Sequence, residues 1–213
     1  MSLPFAAIER YFSNSGPNTI ADIGAADGLD TVAYALRFTA ATVYAFEPLE
    51  RNISDLTENI HSYGVANRVT VIKCALGERP VSAAPFWVSG GSPLTGQKEW
   101  PYSSSLREPA KHSQIHPWCK FTSDVADVHR LDEFAVIPEF VHMDVQGAEL
   151  DVLRGAGDRL SEIKAVWMEV STIELYRGQP LYYDVDVFMH QRGFQRLLDT
   201  AFGEPSGDQL WVR

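Results

Sequence analysis

Three groups of residues in this chain have the types and spacing that chemistry requires. The first is the run Asp22-Ile-Gly24-Ala25-Ala26-Asp27-Gly28. Glycines in a turn after a strand let the backbone approach a ligand closely, because no Cβ intervenes. The helix that follows such a turn offers free N–H groups. Ala25 and Ala26 follow Gly24, so the loop lacks the middle glycine of the dinucleotide fingerprint G-x-G-x-x-G. That weakens a reading as a nicotinamide oxidoreductase. The second group is Glu47 with Pro48, 19 residues after Gly28. A carboxylate at a strand end can accept both hydroxyls of a ribose. The third is the long run from Val141 to Ala156, VHMDVQGAELDVLRGA. Asp144 falls at the end of its strand. Glu149 falls in the first turn of the next helix, where a negative charge also complements the macrodipole. His142 lies two residues before Asp144 and shares its strand face. It reads as a supporting histidine ahead of a catalytic one.

These residues need a frame that gathers them. Apolar spacing predicts a short helix over Leu3–Phe12 and a turn over Ser13–Asn18. Strands are expected at Thr19–Ile23, Thr42–Phe46, Val69–Ala75, Phe140–Asp144 and Ala165–Val170. Helices are expected at Thr31–Phe38 (capped by Asp30), Arg51–Tyr63, Ala148–Arg154 and Tyr183–Gln191. A closing β-hairpin is expected from Phe194–Asp199 and Gln209–Val212. Alternating strands and helices argue for an α/β fold, a mostly parallel sheet with helices on both faces. Ligands in such sheets bind beyond the C-terminal strand ends, near the switch point. Asp22, Gly24, Glu47, Asp144 and Glu169 stand at those ends.

Regular pattern fails from Pro80 to Val125, a stretch rich in Gly, Ser and Pro. Long irregular segments in a compact domain are uncommon and often functional. We read this one as an acceptor lid, with Phe86, Trp87, Trp100, Tyr102 and Trp118 as walls. From Phe86 to Lys120, Lys98, Arg107, Lys111 and Lys120 outnumber Glu99 and Glu108, which would favour an anionic or polar acceptor. His112 and His116 have a spacing that can bind a metal on a helix. Pro117 follows them and no carboxylate is near in sequence, so packing is the plainer reading.

The 213 residues suit one domain spanning 1–213. With 18 basic and 28 acidic residues the net charge is −10, which makes nucleic acid a poor partner. No apolar run approaches the roughly 20 residues of a membrane span. No basic segment leads into a long apolar stretch at the N-terminus, so no secretory signal is read. Two cysteines, Cys74 and Cys119, are expected as free thiols in a cytoplasmic protein.

Taken together, the motifs resemble the FkbM family of S-adenosylmethionine (SAM)-dependent methyltransferases. The family's D-V-G-A-N-x-G-x-x-T is similar to Asp22 to Thr31, its A-F-E-P to Ala45–Pro48, and its K-I-D-V-x-G-x-E-x-x-V-L-x-G-A to His142–Ala156. Ser104-Ser105-Leu106, Leu131-Asp132, Met168-Glu169-Val170 and the closing Leu210-Trp211-Val212-Arg213 also match. Ala26 stands for the usual Asn and His142 for the usual Lys. The resemblance implies a Rossmann-like seven-stranded sheet with one antiparallel strand from the C-terminal hairpin. It implies O-methylation of a sugar, polyketide, lipid or related small-molecule or glycan acceptor. It places SAM against Asp22, Gly24, Ala25, Gly28, Glu47, Pro48, Ala75 and Asp144. Catalysis falls to Asp144, Glu169 and His142. Asp144 and Glu169 could share Mg²⁺, which takes oxygen ligands; the reading adopted puts Asp144 against the cofactor without a metal. The rival reading is a non-catalytic SAM-binding or interaction module, supported only by the missing Asn.

Overall fold

A computed structural model describes residues 3–13, 15–92 and 100–213. In chain order the elements are α1 (Phe5–Tyr11), β1 (Thr19–Ile23), α2 (Leu29–Arg37), β2 (Thr42–Phe46), α3 (Glu50–Ser62), β3 (Val69–Ile72), β4 (Ala75–Leu76) and β5 (Val81–Gly90). Then follow α4 (His112–Ile115), β6 (Lys120–His129), β7 (Phe140–Met143), α5 (Glu149–Gly155), β8 (Ala165–Ser171), α6 (Tyr182–Gln191), β9 (Gln195–Asp199) and β10 (Ser206–Val212).

Seven strands form one sheet in the order β3-β2-β1-β7-β8-β10-β9. β10 runs antiparallel to both of its neighbours, as the expected hairpin requires. The chain turns back at β1, which pairs with β2 on one side and β7 on the other. Such a reversal opens a crevice at the C-terminal strand ends.

Alternation along the strands feeds two cores. Phe140, Trp167 and Leu210 pack with Val32, Tyr34, Leu56 and Ile60 of α2 and α3. Val141, Met168 and Trp211 pack with Leu150, Leu153, Val185 and Met189 of α5 and α6. Every residue of β7 is buried, as a central strand covered on both faces must be.

The segment from Pro80 to Val125 corrects the expectation of lost regularity. β5 and β6 pair antiparallel along most of their length, and β4 joins them in a second sheet of order β4-β6-β5. β6 escaped notice because its polar Thr, Ser and Asp residues alternate with few buried ones, Ala126 and Val128. One face of an antiparallel sheet can stay in water. β5 is masked by Pro85 and by an irregular register between Val81 and Ala84, where Ala83 has φ +52°. Two smaller corrections follow. The strand expected to reach Ala75 stops at Ile72, and Ala75 belongs to the second sheet. Gly28, with φ +77°, caps α2 in place of Asp30.

Candidate active site

Two pockets meet at the strand ends. One is lined by Gly24, Phe46, Glu47, Pro48, Asn52, Ala75, Leu76 and residues of the insertion. The other is lined by Asp22, Ala25, Asp27, Asp30 and His142 among others. Gly24, Ala26, Tyr102 and Asp144 border both.

The glycine loop is shaped by its own protein neighbours. Gly24 has φ +83°, and a Cβ there would lie 2.2 Å from the Asp144 carbonyl oxygen. A Cβ at Gly28 would meet Leu56 of α3 at 2.8 Å. Gly28 therefore seats α2 against α3 and lies outside both pocket linings. Gly24 and Ala25 both donate to the Phe46 carbonyl at 3.0 Å, folding the loop over the end of β2. Ala26 has φ +47°, a left-handed conformation that costs a residue bearing a Cβ about 1–2 kcal/mol. Asn tolerates it better, so Ala26→Asn is expected to raise the melting temperature modestly; a fall on thermal unfolding would count against this.

Glu47 is buried at the mouth of the first pocket. Its Oε2 accepts the Ala26 N–H at 2.9 Å and its Oε1 accepts the Leu49 N–H at 2.8 Å. Burial pushes its carboxyl up to about 7 against these bonds. The Asn52 side chain also hydrogen-bonds it, so three of the roughly four acceptor sites of the carboxylate are used and one is left for a ligand hydroxyl. Glu47→Ala is expected to weaken binding of a ribose-bearing ligand by about 1–3 kcal/mol, measured by calorimetry.

Asp22 serves within the protein. Its carboxylate accepts from Thr31 and from His142 Nδ1, the latter at 2.9 Å. His142 is buried, and the Asp22 bond leads the causes that raise its pKa against burial. The pair forms a fixed wall of the second pocket.

Asp144 and Glu169 are joined by an amide. Gln146 Nε2 donates to Asp144 Oδ1 at 2.5 Å and to Glu169 Oε2 at 3.2 Å. Gln146 is held in turn by the Tyr176 hydroxyl, 2.7 Å from its Oε1, and by Ser105 Oγ, which donates to its carbonyl at 2.8 Å. Glu149 holds the same loop by accepting the Gly147 N–H at 3.1 Å and the Val145 N–H at 3.3 Å. Among the described residues, no three His, Cys, Asp or Glu are arranged to hold a metal. Gln146 and Tyr176 were missed in the sequence. Gln146 sits in the variable position of the long motif and reads as a turn residue; its φ of +55° is visible only in the fold.

The insertion contributes differently from the expected set of walls. Phe86, Pro101, Tyr102, Ser104 and Leu106 line the first pocket. Tyr102 also donates to Asp27 Oδ2 at 2.6 Å, tying the insertion to the glycine loop. Trp87, Trp100 and Trp118 are absent from both linings. Trp100 packs edge-on against Trp118 and Tyr102, with centroids 5.5 and 5.0 Å apart. His112 and His116 extend this ring cluster toward Tyr176, and burial lowers His112 to about 4. Two cations of the insertion face elsewhere: Arg107 pairs with Asp151, and Lys120 donates to the Pro117 carbonyl. Lys98 and Glu99 lie outside the described residues.

Comparison with known proteins agrees with this fold. The 2-O-methyltransferase NoeI of Sinorhizobium fredii is 31% identical over 166 residues, 75% of this chain and 66% of that protein's length. Methyltransferase 1 of Beauveria bassiana is 30% identical over 209 residues, 91% of this chain and 78% of its own. The SAM-dependent methyltransferase SibL shares the fold at TM-score 0.52 and 12% identity, over 99% of this chain and 54% of its own. The family model described as the methyltransferase FkbM domain matches residues 22–196, and the chain belongs to that family of methyltransferases.

Proposed function

We propose that this chain transfers a methyl group from SAM to a hydroxyl of a small-molecule or glycan acceptor, such as a sugar, polyketide or lipid. The observation that carries the reading is the pair of pockets meeting at Asp144, with Glu47 in one and Asp22 and Asp30 bordering the other. The residues fit the donor. Phe46, Ala75, Leu76, Phe86 and Leu106 offer an apolar wall for an adenine, and Glu47 offers an acceptor site for a ribose hydroxyl. Asp30 and Asp144 offer negative charge to a cationic amino-acid tail. NoeI is named a 2-O-methyltransferase, which supports oxygen as the acceptor atom.

When bound, SAM supplies an electrophilic methyl group on a sulfonium. The protein must then bind, orient and deprotonate the acceptor. A hydroxyl is a weak nucleophile and needs a base. Asp144 borders both pockets and has one oxygen held by Gln146, which leaves the other for the acceptor proton. Burial leads the causes that raise its pKa, which makes it a stronger base than a solvated carboxylate. Gln146 fixes the orientation of Asp144 and links it to Glu169. His142 is held by Asp22 behind this centre and supports its charge balance. Buried, unpaired Cys74 and Cys119 support a cytoplasmic setting. No helix among the described residues is long and apolar enough to cross a membrane.

Calorimetry with SAM and NAD tests the donor, with SAM alone expected to bind. Mass spectrometry of a polyhydroxy metabolite panel incubated with SAM tests the acceptor. Binding of NAD in preference to SAM would sink the reading.

A further inference from the structure

β10 brings another carboxylate to the strand ends. Asp208 pairs with Glu169 across the antiparallel ladder. Glu169 follows Met168, the register partner of Met143, which precedes Asp144. The three carboxylates therefore stand at one level on three neighbouring strands, and residues so paired share a face. At about 4.8 Å per strand, the Cα atoms at the ends of this row lie about 10 Å apart.

Asp208 is only 8% exposed, and its Oδ1 is buried without a hydrogen-bond partner. An ionised carboxylate oxygen can only accept, and leaving it buried and unpaired is costly. The surroundings supply little relief. Of the described groups that act on it, Asp30 from α2, Asp144 just past β7 and Glu169 from β8 are acidic, and Tyr34 from α2 is neutral. The cation among these described neighbours is His142, already bonded to Asp22. Asp208 lies beyond residues 22–196 matched by the family model.

We propose that Asp208, with Glu169 and Asp144, forms a carboxylate row that selects the positively charged methyl donor over its neutral thioether product. This rests on the SAM reading above. SAM and S-adenosylhomocysteine differ by one methyl group and the positive charge on sulfur. Asp144 is the member of the row that lines the two pockets, so the charge stands at that end of the row and offsets a repulsion that the free protein otherwise bears. Burial and the neighbouring Asp144 push Asp208 up to about 6, and the same causes hold Glu169 well above the usual carboxylate range. A cation lowers these values, so its binding releases protons and strengthens as pH rises through them. The thioether lacks that charge and gains far less.

Calorimetry with SAM and with S-adenosylhomocysteine on the full chain tests this, at about pH 6 and about pH 8. The wild type is expected to prefer SAM, by a factor that grows with pH. Buffers of different ionisation enthalpy are expected to show proton release with SAM exceeding that with the product. Asp208→Asn is expected to lose about threefold to tenfold in SAM affinity, with product affinity within about twofold and an unchanged unfolding profile. Asp208→Glu is expected to keep the preference. Equal loss for both ligands would make Asp208 a packing residue and overturn the proposal. So would equal proton release on the wild type, a readout that needs no variant. Binding of neither ligand to the folded wild type would overturn the SAM reading itself.

Discussion

Replacing Asp144 with Asn is expected to lower turnover by about 10²- to 10⁴-fold, the usual weight of a general base. Asn keeps an oxygen for Gln146 Nε2 and the approximate shape, but it loses the ability to take a proton. Affinity for SAM is expected to fall less than turnover, because Glu47, Asp30 and the apolar wall remain. The wild-type rate should rise with pH as the Asp144 carboxyl ionises, since burial raises its pKa and only the ionised form accepts a proton. The variant should lose that limb. Single-turnover transfer to an acceptor found in the screen gives both numbers. A rate within about threefold of wild type would remove Asp144 from the chemistry.

Gly24→Ala is expected to destabilise the fold by about 2–5 kcal/mol, combining left-handed backbone strain with overpacking. The added Cβ would meet backbone, the Asp144 carbonyl, which has little room to yield. The chain would have to shift where the two pockets join, so SAM affinity should fall with stability. Gly64→Ala is the control. Gly64 has φ +69° with open space around it, so that change carries the conformational cost alone. Urea unfolding of both variants makes the comparison. Equal losses would show that the approach to Asp144 costs nothing.

Gly24 and Gly28 show where reading the sequence stops. Asp22 to Gly28 is legible as a strand-to-helix turn, and its place beside the ligand pockets follows from the sheet. The reason for each glycine is not legible, because Asp144 and Leu56 lie far away in sequence. The same holds for Gln146. Its neighbours Asp144 and Gly147 mark a turn, but Tyr176 and Ser105, which fix its side chain, come from two other segments. Glu47 and Asp144 were legible because a strand end is a local feature and the sheet gathers such ends by rule. β5 and β6 were not, because a strand with one wet face and a bulge leaves a weak alternation. The insertion's aromatic residues divide in the same way. Composition marks them as a group, while only the fold separates Phe86 and Tyr102, against the pocket, from Trp100 and Trp118, against each other.

The second sheet has a further consequence for how this scaffold can change. Leu76 and His129 are direct register partners, so the chain leaves and re-enters at adjacent points. Everything between them is one excursion with its ends already closed. Loop-closure entropy rises only with the logarithm of length, about 0.6 kcal/mol for each doubling. The excursion can therefore change in length with little entropic penalty to the seven-stranded sheet. Gly155 marks the joint on the other side: a Cβ there would lie 2.2 Å from the Gly77 carbonyl oxygen, so α5 and the root of the excursion meet backbone to backbone. A graft that keeps Gly77, Gly155 and the Leu76–His129 pair, together with Phe86, Tyr102, Ser105, Leu106 and Arg107, would renew the rest of the excursion while the contacts to the catalytic floor stay.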